Sequence, residues 1–304
     1  MIRAHSFSFG VTSAEAALRD AQNYGPGSLR LYFADTLCED EDTYRFGIEA
    51  AAFVLGIPRT AVADLVERAR GLTPLEADDL PRRKRELRDL GGEAMHRIPG
   101  LVWLQDGRTI WEVARDERWV NNSRACKATK MLKGRLLDAF IPAHAVRVFG
   151  MDWSEEHRIV RLKRRLGTDV PTAFPMAEPP EMFKDKVIAA WEDRGVRVPR
   201  MYAVGFPHGN CGGACARAGR KVWLLLLRWN RARYLWHEAE ELATQRHIGA
   251  TYTVLSETRS LRKYPLSLRQ YRERVEAQGN LFVERDDDWG ACGCDAFGLD
   301  SEAA

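Results

Sequence analysis

The sequence has no long apolar run. No run is longer than residues 222–227, which are far fewer than the ~20 residues that a membrane-spanning helix needs. Residues 1–10 also lack a basic region followed by an apolar stretch, so no secretory signal is predicted. The net charge is only +3 over 304 residues, which excludes a global field that attracts polyanions. These absences predict a cytoplasmic protein with no membrane contact.

Cysteine is infrequent, and four of the six cysteines form two close pairs, Cys211 with Cys215 and Cys292 with Cys294. Structural disulfides are rare in a reducing compartment, so the pairs predict metal or cluster ligation. Four thiolates are enough to close a tetrahedral site. Neither pair has the two-residue spacing of a zinc ribbon, so the spacing alone leaves open whether the site holds iron or zinc or serves as redox thiols.

Strand and helix signals alternate through the first half of the chain. Residues 2–9 and 29–34 have the length and composition of buried strands, whereas residues 13–23 and 44–55 have helical spacing. This order predicts an α/β fold with an open, mostly parallel, Rossmann-like sheet flanked by helices. Ligands of such sheets bind beyond the carboxyl ends of the strands.

A proline-rich segment at residues 171–180 separates this pattern from a mainly helical remainder. It predicts an α/β domain over residues 1–170 and a helical region over residues 171–304 that carries the cysteine pairs. Residues 60–97 are highly charged with helical spacing, which predicts a solvated helical insertion. The basic run 82–85 within it leaves a nucleic-acid contact as the alternative.

The segment Phe7-Ser8-Phe9-Gly10-Val11-Thr12-Ser13 lies where the first strand meets the first helix. It resembles the Ser-Gly-Gly-x-x-Ser pyrophosphate loop (PP-loop) of the adenine nucleotide α-hydrolase superfamily, although Ser8 and Phe9 stand where that family usually has glycine. Such loops bind oxyanions through backbone amides and a helix N-terminus. The resemblance implies that Ser8, Gly10 and Ser13 hold a nucleotide phosphate.

Three later segments resemble the same superfamily, in the same order along the chain. Residues 32–36, Tyr-Phe-Ala-Asp-Thr, resemble its second-strand motif, which implies that Asp35 faces the ribose or adenine. Residues 122–133 resemble its Cys-Ser and Leu-Lys segment. Residues 150–158 resemble the segment that closes on the nucleotide. The implied catalytic residues are Cys126, Lys130, Lys133 and Arg158, the last three as cations that meet phosphate or sulfate oxygens.

The cysteine motifs resemble one branch of this superfamily. Residues 210–215, Asn-Cys-Gly-Gly-Ala-Cys, and residues 290–294, Gly-Ala-Cys-Gly-Cys, are similar to motifs of phosphoadenosine phosphosulfate (PAPS) reductase-like proteins that bacteriophages often encode. The resemblance implies that the two pairs hold an iron–sulfur cluster, of the 4Fe–4S type, with zinc as the alternative. His208 is either a further ligand or a hydrogen-bonding loop residue.

The resemblance as a whole implies an enzyme that binds ATP or PAPS and catalyses sulfur transfer or sulfonucleotide reduction. The carboxyl-terminal Glu-Cys-Gly motif of thiol-dependent PAPS reductases is missing, so sulfur transfer to a nucleic acid or a small molecule is an equal expectation. The alternative is a catalytically degenerate nucleotide-binding or zinc-stabilised interaction protein, because Phe9 would block the close approach of a phosphate. Cys38 is either a nucleophile or a small buried hydrophobe.

Overall fold

The computed structural model describes residues 1–119, 127–259 and 262–279, together with Phe282 and Glu284. The strands are β1 (Arg3–Ser6), β2 (Leu29–Asp35), β3 (Leu101–Gln105), β4 (Val146–Phe149), β5 (Thr172–Ala173), β6 (Leu255–Arg259) and β7 (Arg262–Leu266). The helices up to β4 are α1 (Val11–Tyr24), α2 (Glu41–Val54), α3 (Ala63–Arg70), α4 (Leu80–Arg97), α5 (Ile110–Asp116), α6 (Lys127–Thr129) and α7 (Arg135–Phe140), with a π-helical segment Lys130–Gly134 between the last two. The later helices are α8 (Glu156–Leu166), α9 (Lys184–Asp193), α10 (Arg200–Val204), α11 (Arg220–Trp229), α12 (Arg231–Ile248) and α13 (Leu268–Gln278).

The central sheet has five strands in the order β3-β2-β1-β4-β5, and every pair is parallel. Strands β6 and β7 form a separate antiparallel pair. The predicted α/β class, with an open parallel sheet flanked by helices, is confirmed. The strand order reverses between β1 and β4, and the crevice at such a reversal is where ligands of these sheets bind.

Both faces of the sheet are covered, because successive side chains of a strand point to opposite faces. In β2, Leu31 and Phe33 join a core with α1 to α4 and α9. The alternate residues Tyr32 and Ala34 join a second core with α7 and α8. This double coverage explains why β2 is almost continuously buried.

The carboxyl-terminal helices α11 to α13 pack around a third core. Trp223 is fully buried there, and Trp229 and Trp236 are partly buried against it. The helical spacing of these rings therefore serves packing.

Residues 60–97 are helical as predicted, but they are part of the main core. Leu65 and Leu87 bury one side of α3 and α4 against the sheet. The expectation that the whole segment is solvated is wrong at Arg83, which is fully buried. Its guanidinium donates to Glu41 Oε1 and to the carbonyl oxygen of Glu39, both at 2.6 Å. The basic run is therefore partly a structural anchor.

A buried ion network joins the carboxyl-terminal part to the sheet. Arg233 of α12 is fully buried and donates to Glu41 at 2.9 Å and to Glu76 at 3.0 Å, and its guanidinium is 3.4 Å from Asp40. Burial alone would lower the pKa of Arg233, but the surrounding carboxylates raise it above its usual value. The acidic start of α2 is thus neutralised by arginines from distant helices.

The predicted boundary after residue 170 falls just before β5, the last strand of the sheet. The core around α1 also includes Val187, Trp191 and Val198. The sheet and its covering helices therefore continue past the proline-rich segment. Among the described residues, no helix combines the length and apolar composition needed to cross a membrane.

Candidate functional site

A cavity of about 160 Å³ lies at the reversal point of the sheet. It is bordered by the carboxyl ends of β1, β2 and β4, by the loop that enters α1, by the start of α8 and by residues 199–210. Five of the residues predicted to bind the nucleotide or to act in catalysis line it, and these are Ser8, Gly10, Ser13, Lys133 and Arg158. The structure thus brings together side chains that are separated by up to 150 positions in the chain.

The loop between β1 and α1 is held by its own hydroxyl groups. The Ser13 hydroxyl donates to the Gly10 carbonyl oxygen at 2.9 Å and accepts from the Ser8 amide at 3.2 Å. No side chain caps α1, so its first amides lack intrahelical partners and carry the positive end of the helix dipole. Gly150 packs closely behind, where a Cβ would lie 2.6 Å from Ser13 Cα. This arrangement has the geometry of an oxyanion site.

Phe9 adopts a left-handed backbone, with φ of 58°, and its ring is fully buried. The ring stacks on Phe33 at a centroid distance of 3.6 Å and meets the edge of Trp103 at 5.2 Å. A Cβ on Gly47 of α2 would lie only 2.0 Å from the ring. The ring is therefore part of the core between the sheet and α2, and the expectation that it blocks the phosphate position is wrong.

Three cationic side chains from separate elements line the cavity. They are Lys133 of the π-helical segment, Arg158 of α8 and Lys184 of α9. The Lys133 ammonium is 3.7 Å from Glu39 Oε1, and Arg158 pairs with Glu155. The cations outnumber the carboxylate that shares the cavity wall, and they face the amino-terminal end of α1. The cavity is therefore suited to an anionic ligand.

Two predicted site residues are not in the cavity wall. Asp35 is fully buried and accepts four hydrogen bonds of 2.7–3.1 Å from β3, α2 and the following loop. These hydrogen bonds join β2 to its neighbours. The expectation that Asp35 faces the nucleotide is therefore wrong, and its role is structural. Lys130, three residues before Lys133, is half-buried and does not line the cavity.

The loop with the first cysteine pair starts at the cavity wall. His208 lines the cavity, and Cys211 follows three residues later. Cys211 and Gly212 both have left-handed backbones, with φ of 52° and 60°. A Cβ on Gly212 would lie 2.7 Å from the carbonyl oxygen of Cys38. Only glycine allows this close approach, which places the cysteine loop against the segment after β2.

The thiols of Cys211 and Cys215 are buried and form no disulfide. Over residues 1–119, 127–259 and 262–279, no group of three or more histidine, cysteine, aspartate or glutamate side chains is arranged to hold a metal. Cys126, Cys292 and Cys294 lie outside the described residues. Two buried thiols in one loop have the donor chemistry of iron or zinc ligands, and the four-cysteine site stays a prediction.

Cys38 is fully buried beneath this loop. Burial raises the pKa of its thiol to about 12. A thiol that stays protonated is a poor nucleophile, so its environment fits a small buried hydrophobe.

Two further cavity residues had no clear signal in the sequence. Thr43, in the first turn of α2, has a buried hydroxyl without a hydrogen-bond partner among the residues that the structure describes. The Tyr202 hydroxyl borders the cavity and lies 3.5 Å from the Val11 amide. For Thr43, the sequence offers only the Thr-Tyr pair at residues 43–44 as a signal. Tyr202 belongs to α10, which only the tertiary fold brings next to α1.

Comparison of this chain with family models, with curated proteins and with solved structures finds no match. The proposals that follow therefore depend on the cavity and on the sequence motifs.

Proposed function

We propose that this chain is a PAPS reductase-like enzyme that binds ATP or PAPS in the cavity and catalyses sulfur transfer or sulfonucleotide reduction. The single observation that supports this most is the convergence, at the reversal point of the sheet, of the uncapped end of α1 with Lys133, Arg158 and Lys184. Adenine nucleotides present clustered phosphate oxygens, and such oxygens require donors and cations from several directions.

The roles of the individual groups follow from their positions. The amides at the start of α1, with Ser8 and Ser13, would hold one phosphate. Lys133 and Arg158 would neutralise a neighbouring phosphate or the sulfate of PAPS. With ATP, attack of an acceptor oxygen on the α-phosphorus would release pyrophosphate and leave an adenylated acceptor, from which a sulfur nucleophile then displaces AMP. With PAPS, thiolate attack on the sulfate sulfur would break its bond to the phosphate oxygen and release adenosine 3′,5′-bisphosphate. A second thiolate would then attack the resulting thiosulfonate, release sulfite and leave a disulfide.

The nucleotide part is tested with a matched pair of lysine variants. We expect Lys133→Gln to weaken ATP or PAPS binding by about ten- to a hundredfold, the value of one charge-assisted hydrogen bond. Lys130→Gln makes the same chemical change on the same segment but outside the cavity wall, and should change affinity less than threefold. Calorimetric titration measures both. Equal effects of the two substitutions, or no binding by the unmodified protein at millimolar nucleotide, would contradict the proposal.

The product distinguishes the two chemistries. Protein prepared without oxygen is incubated with ATP and, separately, with PAPS. AMP formed from ATP supports transfer, whereas sulfite formed from PAPS supports reduction. Neither product, despite measurable nucleotide binding, would favour the degenerate binding protein. Phe9 was the ground for that alternative, and its ring is buried in the core.

The cluster part of the proposal is supported by Cys211 and Cys215, which are buried beside the cavity in a glycine-shaped turn. With Cys292 and Cys294 they would supply four thiolates, and a cluster held there would supply redox or sulfur-binding chemistry. Metal and sulfide analysis of anaerobically purified protein tests this. Cys215→Ser should remove the iron and the brown absorption, and Cys38→Ser, the matched control, should retain both. Colourless protein with bound zinc would contradict the cluster.

A further inference from the structure

A buried carboxylate lies between the cavity and the cysteine loop, which we define as residues 208–215. Glu39, in the segment between β2 and α2, is only 1% exposed. Its Oε1 is 3.7 Å from the ammonium of Lys133, which lines the cavity. Its Oε2 accepts a hydrogen bond from the Gly212 amide at 3.3 Å. One side chain therefore contacts both the cavity wall and the cysteine loop.

Thr36 provides a second connection to the same loop. Its hydroxyl is buried and lies 3.4 Å from Glu39 Oε1 and 4.0 Å from Cys211 Sγ. A hydroxyl has one proton, so Thr36 donates to one of these acceptors at a time. Which acceptor receives the proton depends on how strongly the Glu39 carboxylate attracts it. A change at Glu39 is therefore transmitted to the sulfur of Cys211.

The acidic residues that follow Glu39 in the chain have partners of a different kind. Glu41 pairs with Arg83 at 2.6 Å, and Asp42 pairs with Arg45 at 2.8 Å. Neither arginine lines the cavity, so these pairs join helices to one another. Glu39 differs because the lysine that it contacts belongs to the cavity wall.

An anion in the cavity would change the electrostatic balance at Glu39. Lys133 is buried, so water and salt screen its charge only weakly. A phosphate bound by Lys133 would compete with Glu39 for the ammonium and repel the carboxylate. Less of the carboxylate charge would then be neutralised by Lys133. Its hydrogen bonds from the Gly212 amide and the Thr36 hydroxyl would strengthen, since both are made to a charged acceptor.

We infer that Glu39 is a positioning residue that couples anion binding at Lys133 to the placement of Cys211. Cys211 would then be held most firmly while the phosphate is in place. The inference rests on the proposed function in so far as the anion is a nucleotide, but the coupling itself needs only an anion at Lys133. Coupling of this kind is reciprocal, so a change at Glu39 must affect both sites.

The first test is the affinity of Glu39→Gln for ATP, measured by calorimetric titration. The substitution keeps the size of the side chain and removes its charge, and the Gly212 amide retains the Gly209 carbonyl oxygen as an acceptor at 3.1 Å. We expect ATP to bind about tenfold more tightly, the effect of one unit charge over about 10 Å near a protein surface. Loss of a merely structural residue would not raise the affinity.

The matched control is Glu49→Gln. Glu49 belongs to α2 and pairs with Arg45 at 2.7 Å, and it does not line the cavity. The same chemical change there should alter ATP affinity less than twofold. Unchanged or weaker ATP binding by Glu39→Gln, or an equal gain in the control, would overturn the inference.

The second test follows the cysteine loop by hydrogen–deuterium exchange and mass spectrometry, because exchange reports local opening. Each protein is compared with and without saturating ATP. We expect ATP to slow exchange of residues 208–215 at least threefold in the unmodified protein and in Glu49→Gln, and this protection should nearly disappear in Glu39→Gln. Protection that persists in Glu39→Gln would mean that ATP orders the loop by direct contact, which would contradict the role of Glu39.

Thr36→Val keeps the inference testable if Glu39→Gln does not fold. It removes the hydroxyl beside Cys211 without changing any charge. ATP should protect the cysteine loop less in this variant, while ATP affinity stays within twofold of that of the unmodified protein. Full protection of the loop in Thr36→Val would count against the connection through Glu39.

Inorganic pyrophosphate separates this inference from the proposed function, because it carries oxyanions without adenosine. Glu39-dependent protection by pyrophosphate in a protein that binds no ATP would support the coupling and refute the nucleotide site. ATP binding without Glu39-dependent protection would refute the coupling alone. Binding of neither anion to the unmodified protein would overturn both.

Discussion

Replacing Phe9 distinguishes a core residue from an obstruction of the proposed phosphate site. The ring is fully buried and contacts Phe33 and Trp103, so Phe9→Ala should lower the free energy of unfolding by about 3–5 kcal/mol. The left-handed backbone, with φ of 58°, strains any residue with a Cβ by ~1 kcal/mol. Phe9→Gly loses the same ring but relieves that strain, and should therefore be the more stable of the two variants by ~1 kcal/mol, the reverse of the usual order.

Urea unfolding followed by tryptophan fluorescence measures these differences. Phe140→Ala is the control, because Phe140 is 56% exposed and its loss should cost less than ~0.5 kcal/mol. ATP affinity, measured under conditions where the variants remain folded, should not rise in either Phe9 variant. A tenfold tighter ATP complex in Phe9→Gly, or a stability cost no larger than that of Phe140→Ala, would refute the placement of this ring in the core.

Three other outcomes are expected. Arg233→Met leaves three buried carboxylates without their cation and should lower the free energy of unfolding by about 3–5 kcal/mol, measured by urea unfolding. Arg231→Met, on the exposed side of the same helix, is the control and should have little effect. Burial raises the pKa of Glu241 from 4.5 to about 7, so between these pH values the native state binds a proton that the unfolded state has lost. The free energy of unfolding should therefore fall by up to ~3 kcal/mol as the pH rises from about 4.5 to about 7. In Glu241→Gln the free energy of unfolding should change less over this pH range, and a pH profile equal to that of the unmodified protein would contradict the prediction. Cys38 should resist alkylation by iodoacetamide at pH 8 in native protein and react in urea, which peptide mass spectrometry measures.

The local pattern of the chain was sufficient for the sheet and for part of the site. Alternating buried strands and helical spacing predicted the parallel α/β fold, since these periods depend only on neighbouring residues. The position of Ser8, Gly10 and Ser13 between a strand and a helix placed them correctly at the amino-terminal end of α1. Lys133 and Arg158 were also placed in the wall, because motifs at the carboxyl ends of parallel strands converge on one edge.

The errors arose where side-chain direction decides the role. Asp35 ends a strand as predicted, yet its carboxylate turns into the core and is saturated by four donors. Phe9 lies in the loop between β1 and α1, yet a left-handed backbone sends its ring beneath α2. Arg83 belongs to a charged run, yet it is fully buried on Glu41. The sequence gives the type of each residue but not the direction in which its side chain points.

The amino-acid sequence by itself determined the class of fold and the position of the loop between β1 and α1, because each depends on residue types at short spacings. Only the tertiary structure decided that Lys184 and Tyr202 complete the cavity and that Arg83 of α4 is buried on Glu41. Such facts depend on which distant segments pack together, and packing is set by the whole core rather than by any local stretch.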